Sequence, residues 1–424
     1  MNHFEYRNGE MFAEAVALKR IAQEVGTPAY VYSLATLKRH YGVFDQAFAK
    51  VPHIVCYSVK ANSNIALLRA FAKQGSGFDI VSGGELFRAL KAGGDPKKIV
   101  FSGVGKKKQE IEYALNSGIL MFNVESEEEL TALNEIAAAI GKKAPISLRV
   151  NPDVDPQTHP YISTGMKKAK FGVDIKKSID TYKKALALRN LEVVGVDCHI
   201  GSQLTSVTPF VDALAKVREY LDRVLAGEMK KEGAQIRYLD LGGGLGISYN
   251  DEKPPLPDDY AKAIIQGLEG LDVTLILEPG RVIVGNAGIL LTEVQYIKET
   301  DTKKFVIVDG GMNDLIRPAL YGSYQEIRPV VETQAETINA DVVGPICESG
   351  DFFAKDRDIA RPKRGDLLAV MSAGAYGFTM ASNYNSHPKP PEVLVDGDKF
   401  YIVRKRETLD DLINGEVIPS SLQQ

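Results

Sequence analysis

Apolar positions along the chain change texture near residue 280. Before it, short apolar runs at 54–59, 78–81, 99–102, 120–124, 146–151, 193–199, 236–241 and 274–278 read as strands. Between them lie stretches of helical period, such as Ile65, Leu68, Phe71 and Ala72, or Leu130, Leu133, Ile136 and Ala137. Ser126 with Glu129 is a capping box for the latter. Longer helices are predicted over 178–188 and 209–229. Eight strands, each separated by a helix, read most simply as a closed (β/α)8 barrel, a TIM-like α/β fold, with an open doubly wound sheet as the competing arrangement.

After residue 280 the runs at 289–298, 304–308, 336–343, 366–370, 392–395 and 399–404 are short, β-branched and separated by turn residues, which predicts a C-terminal all-β domain. The strand containing Tyr30, Val31 and Tyr32 is expected to join it, so that the barrel is inserted in the β-domain. The expected division is 1–34 with the β-domain, 35–278 as the barrel and 279–424 as the rest. The Pro/Asp-rich stretch 251–259 reads as a surface loop and 151–172 as a lid over the barrel rim.

Composition narrows the class without naming it. The 424 residues are 44% hydrophobic and 25% charged with a formal net charge of -4, which is ordinary for a globular protein and leaves nucleic acid without an electrostatic footprint. Lys106-Lys107-Lys108 reads as the solvated first turn of a helix. Cys56, Cys198 and Cys347 are far apart, so neither a disulfide nor a metal site is expected. Glu5, Glu10 and Glu14 interrupt the first apolar residues, and no run reaches membrane-spanning length; a cytoplasmic location is expected.

A barrel concentrates its chemistry where the strands end. The first predicted strand runs into Lys60, an amine at the mouth that suits Schiff-base chemistry with a carbonyl cofactor. Ser102, Asn123, Asn151, His199, the Gly242-Gly243-Gly244 turn and Glu278 occupy the other strand ends. Gly242-Gly243-Gly244-Leu245-Gly246 lacks the dinucleotide fingerprint, yet a glycine turn after the seventh strand can turn its N–H groups on a phosphate, with Ser202 adding a hydroxyl. A carboxylate at Glu278 suits the partner of a protonated ring nitrogen, and His199 could lie flat on such a ring. A salt bridge of Glu278 with Arg281 and a core histidine are the plain alternatives.

Together the motifs Tyr57-Ser58-Val59-Lys60-Ala61-Asn62, His199-Ile200-Gly201-Ser202, Gly242-Gly243-Gly244, Glu278-Pro279-Gly280-Arg281, Gly344-Pro345-Ile346-Cys347-Glu348-Ser349-Gly350-Asp351 and Ala375-Tyr376-Gly377 resemble the pyridoxal-phosphate-dependent decarboxylases of the alanine-racemase-like (fold-type III) barrel. The resemblance runs from about residue 26 to 385. It implies pyridoxal 5'-phosphate as cofactor, with Lys60 as its covalent anchor, His199 on its ring and Glu278 at its nitrogen. Ser202, the Gly243-Gly244 backbone and Tyr376 would hold its phosphate, and Gly280 and Arg281 are further implied cofactor contacts. Cys347 is the implied proton donor; a thiol gives up a proton at neutral pH more readily than an alcohol.

It further implies a homodimer with shared active sites, Cys347 and Glu348 coming from the partner subunit. Arg281, Arg317, Tyr321, Glu348 and Tyr376 are the implied substrate contacts. A distal carboxylate needs a fork donor and a distal ammonium an acceptor, and Arg317 with Glu348 supplies both. The implied reaction is decarboxylation of meso-2,6-diaminoheptanedioate to L-lysine. Decarboxylation of ornithine, arginine or carboxynorspermidine, and a non-catalytic pyridoxal-phosphate-binding regulator, are the alternatives.

Overall fold

In the computed structural model the described residues are 2–155, 159, 170–226 and 235–423. The chain divides into two compact units, Met1–Thr36 with Asn286–Gln424, and Leu37–Gly285. The second unit runs past Glu278 because the turn that follows stays on the barrel: the Ser58 N–H donates to the Pro279 carbonyl over 3.1 Å.

Leu37–Gly285 is a closed ring of eight parallel strands. They are β1 (His53–Ser58), β2 (Gly77–Ile80), β3 (Ile99–Phe101), β4 (Met121–Val124), β5 (Ala144–Asn151), β6 (Leu191–Asp197), β7 (Tyr238–Asp240) and β8 (Thr274–Leu277). Each pairs with the next, with one register shift between Val193 and Gly195 of β6, and β8 pairs back on β1 through Leu275–His53, Ile276–Ile54 and Leu277–Val55. The open-sheet alternative is thereby excluded. Helices lie between them, among them Ile65–Lys73, Gly83–Lys91, Lys108–Ser117, Glu127–Ala139 and Ser178–Ala187. Local chemistry sets their starts: Asn64 Oδ1 accepts the Ala66 N–H, and Ser82 Oγ and Ser126 Oγ accept those of Glu85 and Glu129.

Cys56, Val100, Met121, Val194 and Ile276, from five strands, form one buried apolar cluster. Two residues further along four of these strands, on the same face, come Ser58, Ser102, Asn123 and Glu278, all buried. The barrel core therefore changes from apolar to polar within one strand step.

Several local expectations are corrected. Lys106 is not solvated: its side chain is 1% exposed, and Nζ donates to the Gly103 and Asn123 carbonyls and to Glu129. It closes the loop after β3, and the helix begins two residues later at Lys108. The Glu129 carboxylate, paired with Lys106, accepts the Glu125 N–H, so Ser126 and Glu129 make half a capping box. Asp258 and Asp259 are the acidic first turn of the helix Pro257–Gly267, which begins on its proline. Most of the expected lid, 156–158 and 160–169, lies outside the described residues, as do 227–229 of the expected helix 209–229, which is described as Thr208–Ala226.

The other unit is β-rich. Its large sheet runs Phe352–Ala360, Thr337–Val343, Lys304–Val308, Gly288–Glu299, Ala29–Ser33, Glu392–Asp396, Lys399–Arg404, with Leu367–Val370 and Ile327–Pro329 attached alongside. Ala29–Ser33 lies between Gly288–Glu299 and Glu392–Asp396. A three-stranded sheet, Phe4–Arg7, Glu10–Ala13 and Val16–Ala17, precedes it. No described helix is long and apolar enough to cross a membrane.

Candidate active site

Lys60 is not the last residue of β1 but lies in the single 3-10 turn Val59–Ala61 that follows it. The turn leaves the side chain 35% exposed and sets Nζ 2.7 Å from Asp79 Oδ2 on β2. The amine is thus held by an ion pair rather than simply desolvated. Ser58 Oγ bridges the same Asp79 oxygen at 2.8 Å and the Glu278 carbonyl at 2.9 Å.

Below Lys60 is a floor of buried acids: Asp79, Asp197, Asp240 and Glu278. Glu278 Oε1 accepts from Ser102 Oγ and Asn123 Nδ2, both at 3.3 Å. Burial first, then Asp240 and Asp79, push its carboxyl well above the ordinary range, and Lys60 opposes them. Glu278 is therefore not the salt-bridge partner of Arg281. Asp197 is raised in the same way, by burial and then Asp240, against the pull of Arg149. Arg149, also buried, lies 2.8 Å from Glu125 Oε1 and 3.7 Å from Asp197 Oδ2. Asp79 Oδ1, Asp197 Oδ1 and Asn123 Oδ1 have no hydrogen-bond partner among the described residues.

His199, two residues past β6, accepts the Gly243 N–H on Nδ1 at 3.1 Å. The remaining hydrogen is then on Nε2 of a neutral ring. Burial, followed by Arg149 and Lys60, drives its pKa well below the imidazole norm. Gly242 has φ +64, and a Cβ there would sit 2.3 Å from His199 Nδ1. A Cβ on Gly244, at φ +117, would meet the Gly201 carbonyl at 2.6 Å. The turn is glycine because the histidine and the next loop occupy the space a side chain would need. The Gly243 N–H, expected to face a phosphate, is instead engaged in orienting His199. Arg281, just after β8, donates to Ser202 Oγ at 2.9 Å and Tyr249 Oη at 2.7 Å. Gly280 packs against the Cβ atoms of Ala61 and Ser58. Asn151 serves its own loop, accepting the Asp153 N–H.

The remaining expected site residues belong to the β-rich unit. Arg317 is buried at the start of the helix Arg317–Tyr321, its guanidinium 5.6 Å from the Tyr321 ring centroid. Cys347 and Glu348 are exposed. The Cys347 N–H donates to Asn385 Oδ1 at 2.7 Å, and Glu348 hydrogen-bonds the Tyr384 hydroxyl and raises its pKa. Asp351 braces this loop by accepting the Ile346 and Met312 N–H groups, each at 2.7 Å. Tyr376 has φ +56, and Gly377 beside it packs on the Tyr30 ring.

Asp79, Glu125, Arg149, Asp197 and Asp240 were not foreseen. Their signal was present: in Phe78-Asp79-Ile80, Val196-Asp197 and Leu239-Asp240-Leu241 an acid interrupts an apolar strand, and a buried acid in a strand needs a purpose.

An amine, a neutral imidazole and a carboxylic acid on one barrel rim are the equipment of a carbonyl-cofactor enzyme, and the comparisons agree. The chain belongs to the pyridoxal-dependent decarboxylases: the family model "Pyridoxal-dependent decarboxylase, pyridoxal binding domain" matches residues 34–285. Its similar relatives include diaminopimelate decarboxylases. That of Pseudomonas aeruginosa is 57% identical over 98% of this chain and 99% of its own length. The crystal structure of diaminopimelate decarboxylase from Helicobacter pylori complexed with L-lysine superposes with a TM-score of 0.90 at 45% identity, covering 94% of this chain and 98% of that one. The M. jannaschii enzyme in co-complex with L-lysine gives 0.94 at 40% identity, with both chains fully covered.

Proposed function

We propose that this protein removes the α-carboxylate at one amino-acid centre of meso-2,6-diaminoheptanedioate (meso-diaminopimelate) to give L-lysine and CO2, using pyridoxal 5'-phosphate, in the cytoplasm. The observation that carries the reading is the Lys60 amine 2.7 Å from the carboxylate of Asp79, above a floor of buried acids. That floor has unsatisfied oxygens on Asp79 and Asp197 and a strongly raised Glu278, which suits a cationic aromatic ring and would be costly without one. The residues fit the cofactor.

Lys60 would anchor the cofactor aldehyde, Glu278 would serve its ring nitrogen, and His199, neutral and held by Gly243, would hold the ring. Ser202, Gly244, Gly280, Arg281 and Tyr376 would hold the rest of the cofactor, its phosphate included, with Gly243 acting through His199. When bound, the cofactor supplies an electron sink for the pair left by the departing CO2. Cys347 then gives the proton on Sγ to the substrate carbon.

Arg281, Arg317, Tyr321, Glu348 and Tyr376 hold the substrate. Arg317 takes the distal carboxylate and Glu348 the distal ammonium. Leaving the Arg317 guanidinium without a carboxylate costs about 1–3 kcal/mol, which disfavours ornithine and arginine about 5–150-fold. Cys347 and Glu348 are exposed, and they complete the barrel site of a second copy in a two-fold homodimer.

The test is a panel of meso-diaminopimelate, ornithine, arginine and carboxynorspermidine with the purified protein. Lysine and CO2 should appear from the first alone, and equal turnover of ornithine or arginine would reject the assignment. Borohydride should fix the cofactor on the Lys60 peptide, and Lys60→Ala should remove both the label and the turnover.

A further inference from the structure

Two carboxylates carry no hydrogen between them, so carboxyl groups in hydrogen-bond contact must hold a proton. Asp240, at the end of β7, and Glu278, just past β8, are in such contact. Asp240 Oδ1 accepts the Gly242 N–H at 2.8 Å and Oδ2 accepts Asn123 Nδ2 at 3.1 Å; the same Asn123 nitrogen reaches Glu278 Oε1 at 3.3 Å. The backbone locks the pair together, since the Glu278 N–H donates to the Gly242 carbonyl at 2.7 Å. Both side chains are buried.

Among the described residues no cation is ion-paired with Asp240 or Glu278, and Lys60 acts on Glu278 only through the field of its own pair. Lys60 is ion-paired with Asp79 on β2, and Arg149 on β5 with Glu125 and with Asp197 on β6. The nearby thiol of Cys56 and phenol of Tyr260 are both raised by burial and by Asp240, and so stay neutral. Ser102 and Asn123 contribute neutral donors, and His199 is a neutral ring.

We propose that Asp240 is a positioning residue for the reaction centre: Asp240 and Glu278 share one proton across the barrel floor, and this is the proton that Glu278 gives to the nitrogen of a bound pyridine ring. The transfer balances. The proton leaves the pair, the ring nitrogen gains it, and the doubly ionised pair is offset by the positive ring. Asp240 touches neither ring nor substrate and works through Glu278. The second half rests on Glu278 facing the ring nitrogen, as in the proposed function; the first half does not.

The first experiment therefore uses the full chain stripped of cofactor. Unfolding free energy is measured by urea titration from pH 5.5 to 8.5, and its slope with pH counts the protons held by the folded state in excess of the unfolded one. A shared proton on raised acids makes stability fall as pH rises above the ordinary carboxylate range. Asp240→Asn and Glu278→Gln should each lower the excess by about one proton, and the double variant by the same one. An unchanged slope in either single variant, or a loss of two protons in the double, would overturn the sharing. If Asp240→Asn does not fold, Asp240→Ser takes its place, and an unchanged slope in it is equally fatal to the sharing.

The second experiment loads pyridoxal 5'-phosphate by calorimetry in buffers of different ionisation enthalpy. Asp240→Asn should take up about one more proton from solvent than the unsubstituted chain. Equal uptake with the first result intact would overturn the transfer to the ring while leaving the shared proton standing.

Discussion

Replacing Arg149 with Met should strand a charge inside the barrel. The guanidinium lies 2.8 Å from Glu125 and 3.7 Å from Asp197, donates to the His199 carbonyl at 3.4 Å and stands 4.9 Å from the Phe171 ring centroid. Methionine conserves most of the volume and none of the charge. Breaking a buried pair from one side costs about 3–5 kcal/mol, because the remaining carboxylate has neither water nor counter-charge. Glu125 keeps the N–H groups of Gly103 and Gly172, at 3.2 and 2.8 Å, which places the loss toward the lower end. With a urea dependence of about 3 kcal/mol per molar, the unfolding midpoint followed by circular dichroism should fall by about 1 M or somewhat more. The sign with pH follows from the stranded acid. Asp197, whose carboxyl is already raised by burial and by Asp240 against the pull of Arg149, rises further when that cation is gone, so the penalty is absent well below the ordinary carboxylate range and grows as pH rises toward the raised value. The deficit should therefore be larger at pH 8 than at pH 5, and Glu125→Gln added to the variant should restore most of it. An equal loss at both pH values, or no rescue by Glu125→Gln, would refute the stranded-charge reasoning and leave a packing defect as the cause.

Cys347→Ala should slow product formation about 10²- to 10⁴-fold, the range for a lost proton donor, while the visible absorbance of the bound cofactor stays intact; loss of that absorbance would make the thiol structural. Arg281→Met removes the donors to Ser202 and Tyr249 and should weaken pyridoxal-phosphate affinity at least about 10-fold by equilibrium dialysis, with an unchanged affinity refuting a phosphate role. Gly242→Ala forces a Cβ to within 2.3 Å of His199 Nδ1 at a left-handed φ, and should cost about 2–5 kcal/mol in urea unfolding as well as disturb the cofactor spectrum. A loss under about 1 kcal/mol would mean that the histidine is free to move aside.

The barrel was legible because both faces of its strands report one period. Cys56 to Ser58, Val100 to Ser102, Met121 to Asn123 and Ile276 to Glu278 are each one step of two along a strand, and each turns an apolar interior residue into a polar rim residue. The run Phe352–Ala360 escaped the same reading because Lys355, Asp356, Arg357 and Asp358 fill its centre. It lies at the edge of its sheet, where charges face solvent and keep other strands from pairing. Lys106 escaped for the opposite reason: in a run of three lysines, residue type cannot show which one turns inward to carbonyl oxygens and Glu129. Cys347 and Glu348 sit exposed on a loop, and only the motif around them marks them out.

The acids of the barrel floor lie between these cases. Asp79, Asp197 and Asp240 each break an apolar strand, so their presence could be read, but their function could not, because it depends on which strand closes on which. Closure of β8 onto β1, and pairing of β7 with β8, bring Asp240 to Glu278, 38 residues apart in sequence. A lone acid at either position would have to carry a charge or a proton by itself, at the full cost of burial. Two acids under one asparagine can divide a single proton, so that the floor yields it to an arriving cation while each acid keeps a hydrogen-bond donor.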